Sequence, residues 1–221
     1  MSAAMLAASG AEETQERASC DRVDVWQVAL EPCAIEARLR TLSEAEREHA
    51  ARLRVGAAAW VVARAALRRI LGRYLGIAPE KVAFATGANG KPMLAPGGSV
   101  DLRFNLSHSG NIALIAVRLG LDVGIDVEEV RPGVDGAAIA RDVFTDHERA
   151  AMAAPVSAEA FSRVWVRREA LAKAIGHGVV SPPAADESTR IHVRDLDCTP
   201  GFAAALASEG AAWSVRRVAG E

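Results

Sequence analysis

The sequence predicts a mixed α+β protein made of two similar lobes, and three observations carry that expectation. Half of the 221 residues are apolar and 24% are charged, enough to bury a core and too hydrophobic for general disorder. Helical and strand periodicities both occur, with Gly and Pro turns between them. Each half also runs in the same order, a long helical pattern followed by strands. The seam falls near Gly120 to Asp122. The expected division is a flexible leader over 1–20, a first lobe over 21–120 and a second lobe over 121–221.

The elements follow in chain order. Val23 to Leu30 alternates as a strand does. Glu36 to Ala50 is charged and helix-prone, and Ser43 with Glu46 forms a capping box for its second part. Ala57 to Leu75 has apolar residues at helical spacing, decorated by Arg64, Arg68, Arg69 and Arg73, with Gly76 as its stop. Lys81 to Ala85 reads as a strand, Thr86 to Gly90 as a tight Asn-Gly turn, and Lys91 to Leu94 as its return. Val100 to Leu106, Ile112 to Arg118 and Leu121 to Val127 read as three strands. Ala137 to Val143 is a short helix, and Thr145 with Glu148 caps another. Ser157 starts a long helix, Ala158 to Ile175, closed by Gly176 and Gly178. Ile191 to Asp195 and Ala212 to Val218 read as late strands.

Composition removes several functions. A net charge of −2 argues against a general nucleic-acid binder, which needs a basic excess. The three cysteines, Cys20, Cys33 and Cys198, follow no metal spacing and read as reduced thiols of a cytoplasmic protein. The Ala-rich N-terminus lacks a basic n-region, and Glu12, Glu13 and Glu16 follow, so it reads as a frayed leader. No apolar run is long enough to span a bilayer. Only three of the 26 basic residues are lysines, namely Lys81, Lys91 and Lys173. A Lys kept in an Arg-rich chain points to a place that wants a compact ammonium.

The chemistry concentrates in four segments. In Gly124-Ile125-Asp126-Val127-Glu128, strand parity puts the two carboxylates on one face about 7 Å apart. That face is either solvated or built around a cation. In Trp165 to Ala174, Trp165, Glu169 and Lys173 share a helix face. Glu169 and Lys173 form either an ordinary surface ion pair or the rest of a site. Three carboxylates without nearby His or Cys describe a hard-cation site, with Mg²⁺ the default and Lys173 placed for a phosphate. The five histidines are scattered without zinc spacing. Phe104 to Gly110 reads as a strand that ends in a polar turn. There Ser107 and His108 point apart, which argues against a nucleophile–base pair and for donors to a phosphate, or else for a turn bonded only to itself. Lys91, after a tight turn, is either a solvated hairpin lysine or a fixed cation over an anionic ligand.

Together and in this order, Gly90-Lys91-Pro92, Phe104 to Ser109, Gly124 to Glu128, Phe144 with Glu148, and Trp165 to Ala174 resemble the 4′-phosphopantetheinyl transferases of the surfactin-synthetase activator type. The similarity runs from about Leu42 to Gly178. It implies two α/β lobes related by a pseudo-twofold, with coenzyme A in the cleft. It also implies Mg²⁺ on Asp126, Glu128 and Glu169, phosphate contacts from Lys173, Ser107 and His108, and Lys91 near the nucleotide end. Relatives place basic residues for the 3′-phosphate where this chain has Glu46, His49 and Ala57 to Ala59, which leaves Arg52, Arg54, Arg64 or Arg68 for that contact. Arg168 stands where relatives usually have Lys.

The expected reaction moves phosphopantetheine from coenzyme A to a serine of an apo acyl or peptidyl carrier of fatty-acid, polyketide or non-ribosomal peptide synthases. Glu169, or a metal-bound hydroxide it positions, serves as base, and Lys173 steadies the phosphoryl charge. The expected protein is a cytoplasmic monomer without nucleic-acid or membrane partners. Arg131, Arg141, Val143 and Phe144 would rim the carrier surface, unless Phe144 is core. Two alternatives use the same residues: a Mg²⁺-dependent nucleotide or nucleic-acid phosphohydrolase, and a non-catalytic coenzyme A or carrier-protein binding module.

Overall fold

The computed structural model describes residues 16–87, 90–98, 100–152, 155–176, 190–210 and 212–218. Most of the leader, Ala88-Asn89 of the tight turn, His177 and Gly178 lie outside these residues. The first half comprises β1 (Arg22–Ala29), α1 (Ile35–Arg40), α2 (Glu44–Arg52), α3 (Ala57–Leu75), the hairpin β2 (Phe84–Thr86) and β3 (Pro92–Leu94), β4 (Leu102–Ser109) and β5 (Ile112–Leu119). The second comprises β6 (Val123–Glu129), α4 (Gly136–Val143), α5 (Asp146–Ala150), α6 (Ala158–Ile175), β7 (Ile191–Asp195), β8 (Phe202–Glu209) and β9 (Ser214–Val218).

Two main sheets pack face to face, with one long helix on each outer side. The first sheet has the order β4-β5-β1-β9 and the second β6-β8-β7. Strand parity explains the layering. Ala113, Ile115 and Val117 of β5 face α3 with Trp26, Val28, Leu67 and Ile70. Ile112, Leu114 and Ala116 face the other way, against Val123, Ile125 and Val127 of β6 and Leu206 of β8. A strand covered on both faces reads as a continuous apolar run, and IALIAV is one. The last strand, β9, leaves the second half and pairs in parallel with β1.

Several expectations shift. The strand over Lys81 to Ala85 is instead a 3₁₀ turn at Pro79–Lys81, and β2 begins at Phe84. Pro79 suits the first position of a helical turn, and Arg68 donates to the Pro79 and Val82 carbonyls at 3.0 and 2.9 Å. The strand expected to end at Leu106 continues through Ser107 to Ser109. These residues complete β4, and only Gly110-Asn111 turn the chain into β5. β8 was not expected. Its alanines carry little strand propensity, yet Ala205 and Ala207 lie at the centre of the second sheet against Val166, Ala170 and Ala174 of α6.

The return of β9 is fixed by a buried carboxylate. Asp24 on β1 is 1% exposed and accepts from Arg216 of β9 at 2.8 and 2.7 Å, from Arg22 at 2.8 Å and from the Tyr74 hydroxyl at 2.8 Å. Burial raises its pKa, but bonds from Arg216, Arg22 and Tyr74 win and hold it below the ordinary carboxylate range. A depressed folded pKa stabilises the fold above the unfolded value, and that gain is lost as pH falls through the folded one. Asp24→Asn therefore costs about 2–4 kcal/mol at neutral pH. The difference from wild type shrinks toward zero as acid protonates Asp24 itself, which urea titrations at several pH values read directly.

Candidate active site

The site forms where edge strand β4 of the first sheet runs beside β6 of the second. Alternate residues of β4 turn toward β6 and bond it in a ladder. The Asn105 side-chain carbonyl accepts from the Ile125 amide at 2.9 Å. The Ser107 hydroxyl donates to Asp126 Oδ1 at 2.7 Å. The Ser109 hydroxyl donates to Glu128 Oε2 at 2.8 Å and accepts from the Glu129 amide at 3.1 Å. Asn105, Ser107 and Ser109 are all buried, so the period-two polarity of this segment marks a face between two sheets.

Helix α6 closes the site from the other side of β6. Gly124 permits its approach: a Cβ there would run into the Ala170 carbonyl and the Ala174 amide of the helix backbone. With the helix this close, Lys173 Nζ lies 2.6 Å from Asp126 Oδ1 and 3.0 Å from Ser107 Oγ. Glu169, one turn earlier, is half-buried. Its carboxyl is pushed above the usual range first by burial and then by the negative charges of Asp126 and Glu128, with Lys173 opposing. The helix is anchored by Arg168, which donates to Glu148 at 3.0 Å, and by Trp165 packed with Phe144 and Phe161.

Asp126, Lys173 and Ser107 thus meet, Glu128 is bonded by Ser109 beside them, and Glu169 lies close enough to feel the charges of Asp126 and Glu128. Among the described residues no three acidic, His or Cys side chains stand as a ready-made ligand set; protein donors hold one oxygen each of Asp126 and Glu128. Asp126 is 2% exposed, and its Oδ2 is buried with no hydrogen-bond partner. An orphaned carboxylate oxygen beside two further carboxyls fits a hard cation.

The remaining expected contacts divide. His108 lies on the opposite face of β4 and is exposed. Its imidazole is held below the usual range by desolvation and then by Lys173, with Glu128 opposing. Lys91 is not a solvated hairpin lysine, since its ammonium lies 2.6 Å from the Lys173 carbonyl and 3.3 Å from that of Val123. Arg64 is committed to Glu46 and lies over Phe84. Arg52 is exposed and faces Glu48 at 3.8 Å. Phe144 is core, with Ala140, Met152 and Val164. A cavity of about 810 Å³ opens between the β2–β3 hairpin, the start of β4 and the last turn of α6, with Lys91, Pro92, Phe104 and Asp122 in its wall.

Two stacked α+β halves with acidic and cationic side chains gathered where β4, β6 and α6 meet define the class of fold and site. The comparisons narrow this. Residues 122–218 match the 4′-phosphopantetheinyl transferase superfamily, and residues 26–119 match the N-terminal part of 4′-phosphopantetheinyl transferases. The chain is 34% identical over 174 residues to the 4′-phosphopantetheinyl transferase HetI of Nostoc sp., covering 72% of this chain and 70% of HetI. It is 39% identical over 123 residues to the 4′-phosphopantetheinyl transferase AcpT of Salmonella typhimurium, covering 54% and 59%. With the 4′-phosphopantetheinyl transferase psf-1 of Bacillus pumilus it shares 32% over 115 residues, covering 51% and 48%. The matches span 70% of HetI but only about half to three-fifths of AcpT and psf-1. The chain belongs to the 4′-phosphopantetheinyl transferase superfamily and is a transferase of that class. These relatives support neither the phosphohydrolase nor the binding-module alternative. Among the described residues no helix is long and apolar enough to cross a membrane.

Proposed function

We propose that the chain takes phosphopantetheine from coenzyme A and places it on a carrier-protein serine, with the pyrophosphate bound over Asp126, Glu128, Glu169 and Lys173. The observation that carries this reading is the convergence of one strand's carboxylates with the acid and the ammonium of α6. The serine hydroxyl is a weak nucleophile at neutral pH. Glu169, whose burial and acidic neighbours raise its proton affinity, takes the hydroxyl proton. The serine oxygen bonds the β-phosphorus while the bond to the bridging oxygen breaks, and 3′,5′-ADP leaves with that oxygen's electron pair. Lys173, held in the free protein by Asp126 and Ser107, shares its charge with the phosphoryl oxygens, where it counts most. Asp126, Glu128 and Glu169 are the residues that would hold Mg²⁺, which supplies charge neutralisation on the pyrophosphate when bound. The 810 Å³ cavity beside the hairpin is in the size class of nucleotide sites and supports placing the nucleotide end there.

Both halves of the chain supply the site, so a single chain suffices. The free thiols of Cys20, Cys33 and Cys198 fit a reducing cytoplasm. Incubation with coenzyme A, Mg²⁺ and a panel of apo acyl and peptidyl carriers tests the reading. The expected result is a carrier mass increase of one phosphopantetheine, stopped by EDTA and restored by excess Mg²⁺. Transfer that persists under chelation would remove the metal from this account, and no mass gain on any carrier would remove the transfer.

A further inference from the structure

Lys91 makes contacts that its place after a hairpin turn does not suggest. Its Nζ reaches across to the second half of the molecule, 2.6 Å from the Lys173 carbonyl and 3.3 Å from the Val123 carbonyl. Val123 begins β6, the strand of Asp126 and Glu128, and Lys173 lies in the last turn of α6. Carbonyls of a helix's last turn lack intrahelical donors, and a cation there also meets the negative end of the helix dipole. The same residue, Lys173, is held a second time through its side chain, by Asp126 and Ser107. One residue is thus fixed at both ends, its carbonyl by the β2–β3 hairpin side and its ammonium by the β4–β6 ladder.

We propose that Lys91 is a positioning residue for the reaction: it clamps the last turn of α6 to the start of β6 and so sets where the Lys173 ammonium sits. A lysine suits this clamp because a compact ammonium can serve two carbonyls from one point, in a chain whose basic residues are otherwise mostly arginine. Burial pushes its pKa down, with the Asp122 charge opposing, while its hydrogen-bond partners are carbonyl dipoles. The clamp also joins the hairpin, which walls the 810 Å³ cavity, to the helix carrying Glu169 and Lys173.

The kinetic part of the test rests on the transfer reading. A direct phosphate contact and a clamp predict different losses. A clamp lost in Lys91→Met misplaces Lys173 in the transition state, so kcat falls about tenfold or more while KM for coenzyme A stays within roughly twofold. Lys91→Arg keeps donors for the carbonyls but not the compact point of the ammonium, and recovers part of kcat. A raised KM at unchanged kcat would make Lys91 a coenzyme A contact and overturn the clamp. Hydrogen exchange on ligand-free protein supplies a readout without catalysis. Amides of the last α6 turn exchange faster in Lys91→Met than in wild type, and those of α3 do not. Unchanged exchange in α6 would overturn the clamp as well. If Lys91→Met is too unstable to purify, Lys91→Arg decides, since raised KM in it again assigns a ligand contact. Wild-type protein that transfers nothing would sink the transfer reading, while the exchange measurement would still judge the clamp.

Discussion

Glu169→Gln leaves a folded protein that turns over at least about 10³-fold more slowly than wild type, the loss expected when a general base and a charged ligand group vanish together. The amide matches the carboxylate in shape but takes no proton and brings no charge. The fold does not suffer. Among the described hydrogen bonds and ion pairs, Asp126 is tied to Lys173 and Ser107 and Glu128 to Ser109, so the ladder survives the exchange. In the ligand-free protein the wild-type carboxylate is crowded by Asp126 and Glu128 and half-buried. Removing its charge relieves that repulsion, and thermal unfolding at neutral pH comes no lower than in wild type. Single-turnover mass spectrometry of the carrier beside a melting curve checks both halves. Near-wild-type turnover would show that the proton leaves by another route.

The elements that could be read from the sequence are those whose pattern is local. α3 and α6 fall at Ala57–Leu75 and Ala158–Ile175 as expected, because an apolar stripe and a left-handed glycine at each C-terminus agree within a few residues, with the Ser157 cap marking the start of α6. Asp126 with Glu128, and Glu169 with Lys173, were legible as pairs for the same reason, since strand parity and helix pitch fix who shares a face. What escaped depends on partners far along the chain. Ser107 and Ser109 look like turn residues until β6 stands beside them, and their polarity is then seen to serve an interface between sheets. β8 was invisible because its alanines are chosen to let α6 come close, a tertiary demand with no local signature. Arg64 looked available for a phosphate, but Glu46 on the preceding helix takes it. The carbonyl partners of Lys91 are 32 and 82 residues away, and no spacing rule reaches them.

Gly124→Ala damages stability and catalysis together, and more than a methyl group would elsewhere in this sheet. The added Cβ falls 3.0 Å from Ala174 Cα and closer still to the Ala170 carbonyl and the Ala174 amide. These are backbone atoms of α6, so no side chain can rotate away and the whole helix must lift. Overpacking of this kind costs about 1–3 kcal/mol, and the rigid neighbour puts Gly124 at the upper end. The lift also separates α6 from the strand that bears Asp126 and Glu128. A displacement near 1 Å between reacting groups can cost on the order of 10²-fold in rate, so kcat falls further than the stability loss alone would account for. Gly136→Ala is the comparison, because there the methyl group meets the Phe161 side chain instead of backbone and lies on the α4 side of the helix. It costs stability, yet leaves Glu169 and Lys173 opposite Asp126 and Glu128, so its kcat stays nearer wild type when both variants are assayed fully folded. Equal kcat for the two would mean that the spacing between strand and helix does not set the rate. A deficit confined to Gly124→Ala ties turnover to the one place where β6 has no side chain.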